Sequence, residues 1–271
     1  MASTAQSRRQ SASAADDGSI RLQLLSCNIL AGGSIASYRD YVTQSWKQVL
    51  PMRGKRSNLD RFAKLLSEFD LVGLQEADAG SFRSGFLNQT QYLAEAAGFP
   101  YWSHQPNRKI AQFAASSNGL LTRMEPIEVL DYPLPSRIPG RGALWVRFGD
   151  DDNALVVVIA HLSLSAAARK KQIEFLGELI DGYPNVVLMG DLNCTAKSAE
   201  MRSLFRHTSL VPPSDTSPAT FPSWEPTRAI DHILISSGMR IENLWTLPHP
   251  VSDHLPLAAA VHLPAALNLA A

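Results

Sequence analysis

The stretch VSDHLPLAAAV, Val251 to Val261, sets Asp253 and His254 directly before an apolar, strand-like run. An acid and an imidazole side by side at the mouth of a buried strand are hard to justify by packing. Two other stretches have the same form: Val186–Met189 leads into Asp191 and Asn193, and Leu71–Leu74 leads into Gln75 and Glu76. Asn28 ends a further strand-like run, His161 follows another, and Asp231 and His232 sit inside AIDHILIS. Taken alone, each has a plainer reading, as a turn former or a satisfied core histidine. Together they describe one polar site at the edge of a sheet. Carboxylate and amide oxygens are hard donors that suit Mg²⁺ or Mn²⁺. The scattered histidines and two cysteines do not have zinc-site spacing. The sequence contains neither a Gly-x-Ser-x-Gly elbow nor a Walker loop, which disfavours a serine hydrolase and a P-loop NTPase. What remains is metal-assisted attack of water on a phosphoester. Such an anion repels a nucleophile, so its site needs a cation to neutralise charge and a base to generate hydroxide.

The elements that must position these groups alternate between strand and helix, which predicts an α/β protein. Ile20–Ile29 has partial period-two alternation and predicts the first strand. A loop over residues 31–57 follows, ending in a basic cluster of Arg53, Lys55 and Arg56. This cluster is either solvated surface or a contact for substrate phosphate, for which Arg53 and Arg56 are the candidates. Asn58 is placed to cap a helix with Leu59, Phe62, Ala63, Leu66 and Phe69 on one face. Asn88–Ala97 reads as a second helix, stopped by Gly98. Asn118, in SSNGLLTR, opens a strand near the site or belongs to ordinary Ser-Asn-Gly turn chemistry. Strands are expected at Ile127–Leu130, Ala143–Phe148 and Ala154–Ala160, then a helix with Ile173, Leu176 and Ile180 on its apolar stripe. Five prolines between residues 211 and 228 predict a long loop of the kind that borders a site.

The formal net charge of zero argues against a globally basic nucleic-acid binder and leaves room for a local basic cleft. Cys27 and Cys194 are too few for a disulfide framework and fit a reducing compartment. Residues 1–19 read as a disordered polar tail without the apolar core of a signal peptide. No apolar run is long enough to span a bilayer. A soluble, cytoplasmic protein with a single catalytic domain over residues 20–265 is therefore expected.

The ordered set SCNIL, LQEAD, AHLSL, GDLN, AIDHI and SDHLPL resembles the endonuclease/exonuclease/phosphatase superfamily over nearly the whole chain, Arg21 to Leu263. The resemblance implies a four-layer α/β sandwich, with two packed mixed β-sheets flanked by helices and the site at one edge. It makes Glu76 the main Mg²⁺ ligand, with Asn28 beside it and Asp253 near the metal. Asp191 would orient or deprotonate the attacking water, and Asn193 would hold that water or a phosphate oxygen. His161 and His254 would hydrogen-bond the phosphate and stabilise developing charge. Asp231 would pair with His254 and favour its protonated form. Strand alternation turns His232 away from Asp231, and it reads as structural.

Two departures narrow the branch. Leu30 and His161 stand where abasic-site endonucleases resemble one another in an acid or amide and a tyrosine. His232 replaces the arginine that follows the equivalent aspartate in inositol phosphatases. Nuclease-like, deadenylase-like and sphingomyelinase-like enzymes remain. Tyr38, Tyr41, Trp46, Tyr101, Trp102 and Trp224 could stack on bases, form local core, or dip into a lipid surface. The expected substrate is a phosphodiester, with nucleic acid ahead of a phospholipid headgroup; the alternatives are phosphomonoester hydrolysis and, from another class, a non-catalytic binding module that keeps the fold.

Overall fold

The computed structural model describes residues 13–14, 19–30, 53–81, 84, 86–110, 114–137, 139–149, 153–249, 251–265, 267 and 269. Most of the N-terminal tail, and the aromatic residues Tyr38, Tyr41 and Trp46, lie outside the described residues. In chain order the strands are β1 (Ser13–Ala14), β2 (Ile20–Asn28), β3 (Leu71–Asp78), β4 (Tyr101–Ile110), β5 (Ala114–Thr122) and β6 (Glu128–Pro133). They continue as β7 (Gly142–Phe148), β8 (Leu155–His161), β9 (Asn185–Asp191), β10 (Asp231–Ile235), β11 (Arg240–Thr246) and β12 (Leu257–Leu263). The helices are α1 (Arg53–Leu66), α2 (Gln89–Ala97), α3 (Ala166–Leu179) and α4 (Ala199–His207).

Two mixed sheets result. The first runs β11-β12-β2-β3-β5-β4, with β1 also paired to β2, and the second runs β10-β9-β8-β7-β6. Each holds one parallel pair, β2 with β3 and β8 with β9, while the other neighbours are antiparallel. A parallel pair needs a crossover, supplied by the segments carrying α1 and α3. Strand alternation then divides the apolar residues among three cores. Leu22, Leu24, Leu71, Ile159, Val187, Met189 and Ile233 pack between the sheets. Leu25, Cys27, Val72 and Leu74 face the other way, onto Leu59, Phe62 and Leu93 of the first two helices. Val158, Val186 and Leu188 meet Ile173, Leu176 and Leu204. Each buried Leu, Ile or Phe contributes about 1.5–3 kcal/mol. The order is therefore helix, sheet, sheet, helix, as the resemblance implies.

The second helix begins as expected: Asn88 accepts from the Gln91 N–H, and Gly98, at φ 72, closes the helix in the left-handed region. The first helix departs from expectation by starting at Arg53 rather than after Asn58. The Asn58 side chain accepts from Arg61 instead of capping, and the apolar stripe starts only at Leu59, so the first turn carries no periodic signal. Two elements also lie where no periodicity points. Among the described residues β4 is an edge strand paired with β5 alone, with a register irregularity between Pro106 and Arg108, so it needs no apolar alternation. α4 is short, capped by Ser198 onto the Met201 N–H, and buries Met201 and Leu204.

Candidate active site

The inter-sheet core gives way to polar residues where the parallel strands end. Along β9, Val187 and Met189 face the other sheet, so Asp191 does too. The same alternation carries His161 after Val157 and Ile159, and Asp231 ahead of Ile233 and Ile235. In register, His161 pairs with Asp191 and Asp191 with Asp231, which puts three polar side chains in one row across β8, β9 and β10. Gly190, at φ 142, permits this close pairing: a Cβ there would lie 1.9 Å from the Ala160 carbonyl oxygen. The row is buried, with His161 3%, Asp191 2% and Asp231 3% exposed.

The first sheet supplies the facing residues. Asn28 continues the inter-sheet face of Leu22 and Leu24, and its Nδ2 donates to Asp191 Oδ2 at 3.3 Å. Glu76 is different. Leu71 faces the inter-sheet core, so alternation would send Gln75 toward the site and Glu76 toward the helices. A register irregularity between Leu74 and Ala77, with Glu76 at φ 57, leaves Gln75 on the inter-sheet side and turns Glu76 to that side as well. Glu76 Oε1 comes to 3.9 Å from His161 Nε2, while Gln75 hydrogen-bonds Ser26. Leu30 (φ 40) and Asn193 (φ 53) are also left-handed. Such strain, of order 1 kcal/mol or more per residue, is a mark of functional sites.

Asp253 and His254 enter from the segment before β12, held there by Ser252, whose Oγ donates to the Asn28 carbonyl and accepts from the His254 N–H. His254 Nδ1 lies 2.8 Å from Asp231 Oδ2, and its Nε2 lies 3.8 Å from Asp191 Oδ2. Burial works against a charged imidazole, yet the carboxylates of Asp231, Asp191 and Asp253 outweigh it and lift His254 to about 10. Asp191 moves the other way. Burial alone would raise it, but His161, His254 and the backbone N–H of Asn193 hold it below the usual carboxylate range. Asp253 is raised by burial and then by the charges of Glu76 and Asp191, with His254 opposing. The Asn193 N–H donates to Asp191 Oδ1 at 3.0 Å and its Nδ2 to the Leu162 carbonyl at 2.9 Å.

Asp191, Asp231 and His254 offer ligand atoms within 4.8 Å of one another and could hold a divalent ion. His254 and Asp231 are engaged with each other, however, and a protonated imidazole has no lone pair to give. Asn28, Glu76 and Asp253 are hard oxygen donors, and the acids crowding Asp253 form a negative cluster that a cation would relieve. Their oxygens could also hold a divalent cation.

Other expected residues fall elsewhere. Asn118 does not reach the open site; it is fully buried between the sheets, because Leu120 on the same strand face belongs to the inter-sheet core. Arg53 and Arg56 open α1 rather than a loop, and their side chains lie outside the described residues. His232 turns away from Asp231, as alternation requires, and bonds the Cys194 carbonyl at 2.8 Å.

Two contributors carry no sequence signal of their own. The Arg141 guanidinium lies against His161 Nε2. It precedes β7, and the antiparallel pairing of Ala143 with Ala160 brings it beside the end of β8. Thr220, in the proline-rich loop, donates to Asp231 Oδ2, and the neighbouring Phe221 ring sits 4.9 Å from the His254 ring. That loop is stitched to the site: the Leu255 N–H donates to the Thr220 carbonyl and the Ser223 N–H to the Asp253 carbonyl.

The sequence matches the model of the Endonuclease/Exonuclease/phosphatase family over residues 25–254. No curated protein matches it in sequence. Among solved structures it is similar to an endonuclease/exonuclease/phosphatase family protein from Bacteroides thetaiotaomicron, at TM-score 0.67 and 18% identity over 91% of this chain and 99% of that one. A mannosyl-6-phosphatase of the same species gives TM-score 0.63 and 18% identity over 89% and 99%. Sphingomyelinase C from Streptomyces griseocarneus gives 0.60 and 17% over 89% and 99%.

Proposed function

Because the chain belongs to the endonuclease/exonuclease/phosphatase family, we propose that it is a Mg²⁺- or Mn²⁺-dependent phosphodiesterase acting by direct attack of water. One oxygen carries this reading. Asp191 Oδ2 lies 3.3 Å from Asn28 Nδ2, 3.3 Å from His161 Nε2 and 3.8 Å from His254 Nε2. A carboxylate held ionised beside the Asn28 amide and the His254 imidazole is placed to orient water and take its proton. Asn193, fixed by Asp191 Oδ1 and the Leu162 carbonyl, holds the water's position. His254, kept protonated and oriented by Asp231, donates to the oxygen on which charge develops. His161 and Arg141 bind the phosphate. Glu76, with Asn28 and Asp253, would hold the metal. When bound there, it would neutralise the phosphoester and polarise its phosphoryl oxygen.

Nucleic acid is the favoured substrate, supported by Trp102, which is 37% exposed and stacked on His104 at 6.0 Å. A second reading, lipid phosphodiester, is favoured by Leu164, an apolar side chain 77% exposed just beyond His161, and by the fold likeness to a sphingomyelinase. Residues 20–265 are read as one catalytic domain. No helix among the described residues is long and apolar enough to cross a membrane, and buried free thiols at Cys27 and Cys194 accord with a cytoplasmic setting.

The test is cleavage of plasmid DNA, labelled single-stranded RNA and sphingomyelin vesicles with Mg²⁺, run beside His254→Ala. Cleavage of nucleic acid by the wild type alone supports the proposal. Turnover of sphingomyelin alone selects the second reading, and equal activity in His254→Ala overturns the assigned chemistry.

A further inference from the structure

We propose that Asn118 is a positioning residue, a strut between the two sheets that sets Arg141 and His161. The proposal rests on the reading of those two side chains as the phosphate-binding pair. Asn118 lies on β5 of the first sheet and is 0% exposed. Its neighbours on that face belong to the apolar inter-sheet core, among them Leu120 and Ile159. A leucine would suit such a position, whereas an amide must find partners or lose stability.

The partners it finds are the backbones of the strands that carry the site. Asn118 Nδ2 donates to the Gly142 carbonyl at 2.8 Å and lies 3.4 Å from the Ile159 carbonyl. Gly142 directly follows Arg141, and Ile159 is two residues before His161 on the same strand face. Ladder bonds fix β7 against β8 within the second sheet, but they do not set how those strand ends stand against the first sheet. The amide does so. Asn118 is braced in turn, because Nδ2 also reaches Gln105 Oε1 at 3.2 Å, and Gln105 Nε2 donates to the Tyr132 carbonyl at 3.1 Å. The relay ties β4 and β5 of one sheet to β6, β7 and β8 of the other. Its Oδ1, also buried, meets no donor among the described residues, so the amide is poorly chosen for stability alone.

The variant to make is Asn118→Leu, similar in size and compatible with the surrounding core, beside Leu93→Ala as a fully buried control on the helix side of the first sheet. Imidazole ¹⁵N spectra would be recorded, with the His161 signals identified by their loss in His161→Asn. The strut predicts that these signals shift in Asn118→Leu and stay in place in Leu93→Ala. Turnover of bis(p-nitrophenyl) phosphate with Mn²⁺ supplies a double-mutant cycle. Asn118→Leu should lower kcat/KM about tenfold in the wild-type background and less than twofold in Arg141→Ala. Unmoved His161 signals, or the same fold-loss in both backgrounds, would overturn the proposal. If the wild type turned over no phosphoester, the functional reading would fail while the spectra still decided the strut.

Discussion

In the second sheet, His161, Asp191 and Asp231 reach the site by strand alternation and register alone; in the first, Glu76 reaches it only through a left-handed bulge. The outcomes differ accordingly. The second-sheet row is buried, interlocked with His254 and fixed before any ligand arrives. Glu76 keeps 28% of its side chain exposed and touches the row only at 3.9 Å. Under the proposed function, the regular ladder presents the proton-handling group, and the irregular strand end presents an acid placed for an exchangeable ion. On the same reading, chemistry falls to the second-sheet row together with His254, and metal capture to Glu76 with Asn28 and Asp253.

The largest effect should come from breaking the row. Asp191→Asn removes the base while keeping the shape and should lower kcat by about 10²–10⁴-fold with an unchanged circular dichroism spectrum. Next comes the backbone beneath it. Gly190→Ala forces a Cβ into the Ala160 carbonyl at a φ of 142 and should destabilise the fold by more than about 3 kcal/mol in urea denaturation. Its counterpart in the first sheet is milder. A Cβ on Gly73 would meet Met189 Cε at 2.6 Å, the far end of a flexible side chain, so Gly73→Ala should cost about 1–3 kcal/mol. Equal costs would remove the contrast between a rigid row and a yielding opposite sheet. The smallest effect is expected at the edge of the row. Thr220→Val deletes one donor to Asp231 and should lower kcat roughly tenfold, the equivalent of about 1.4 kcal/mol, within the range for one charge-assisted bond.

How much was legible in the sequence follows the same division. Asp191 and His161 are readable because apolar runs with strand period deliver them to a predictable face, and the Asp253–His254 pair because it directly precedes such a run. Glu76 is readable as a residue type but not in its direction, because a bulge has no signature in the LQEAD stretch. Arg141 and Thr220 were not legible: each acts on a partner, 20 and 11 residues away, through contacts that exist only once strands have paired. Asn118 shows the converse. Its polarity pointed to the site, but burial makes it a link between sheets. β4 and α4 escaped because an edge strand and a short helix with two buried apolar residues need little periodicity.

The most direct test is a metal titration of bis(p-nitrophenyl) phosphate hydrolysis by the wild type, Glu76→Gln and His254→Asn. Glu76→Gln should shift the Mg²⁺ or Mn²⁺ midpoint upward about 10–100-fold and recover most of its rate at saturation. His254→Asn should keep the wild-type midpoint and plateau far lower. A midpoint shift in His254→Asn with none in Glu76→Gln would place the metal at the Asp191–Asp231–His254 cluster and contradict this division of labour.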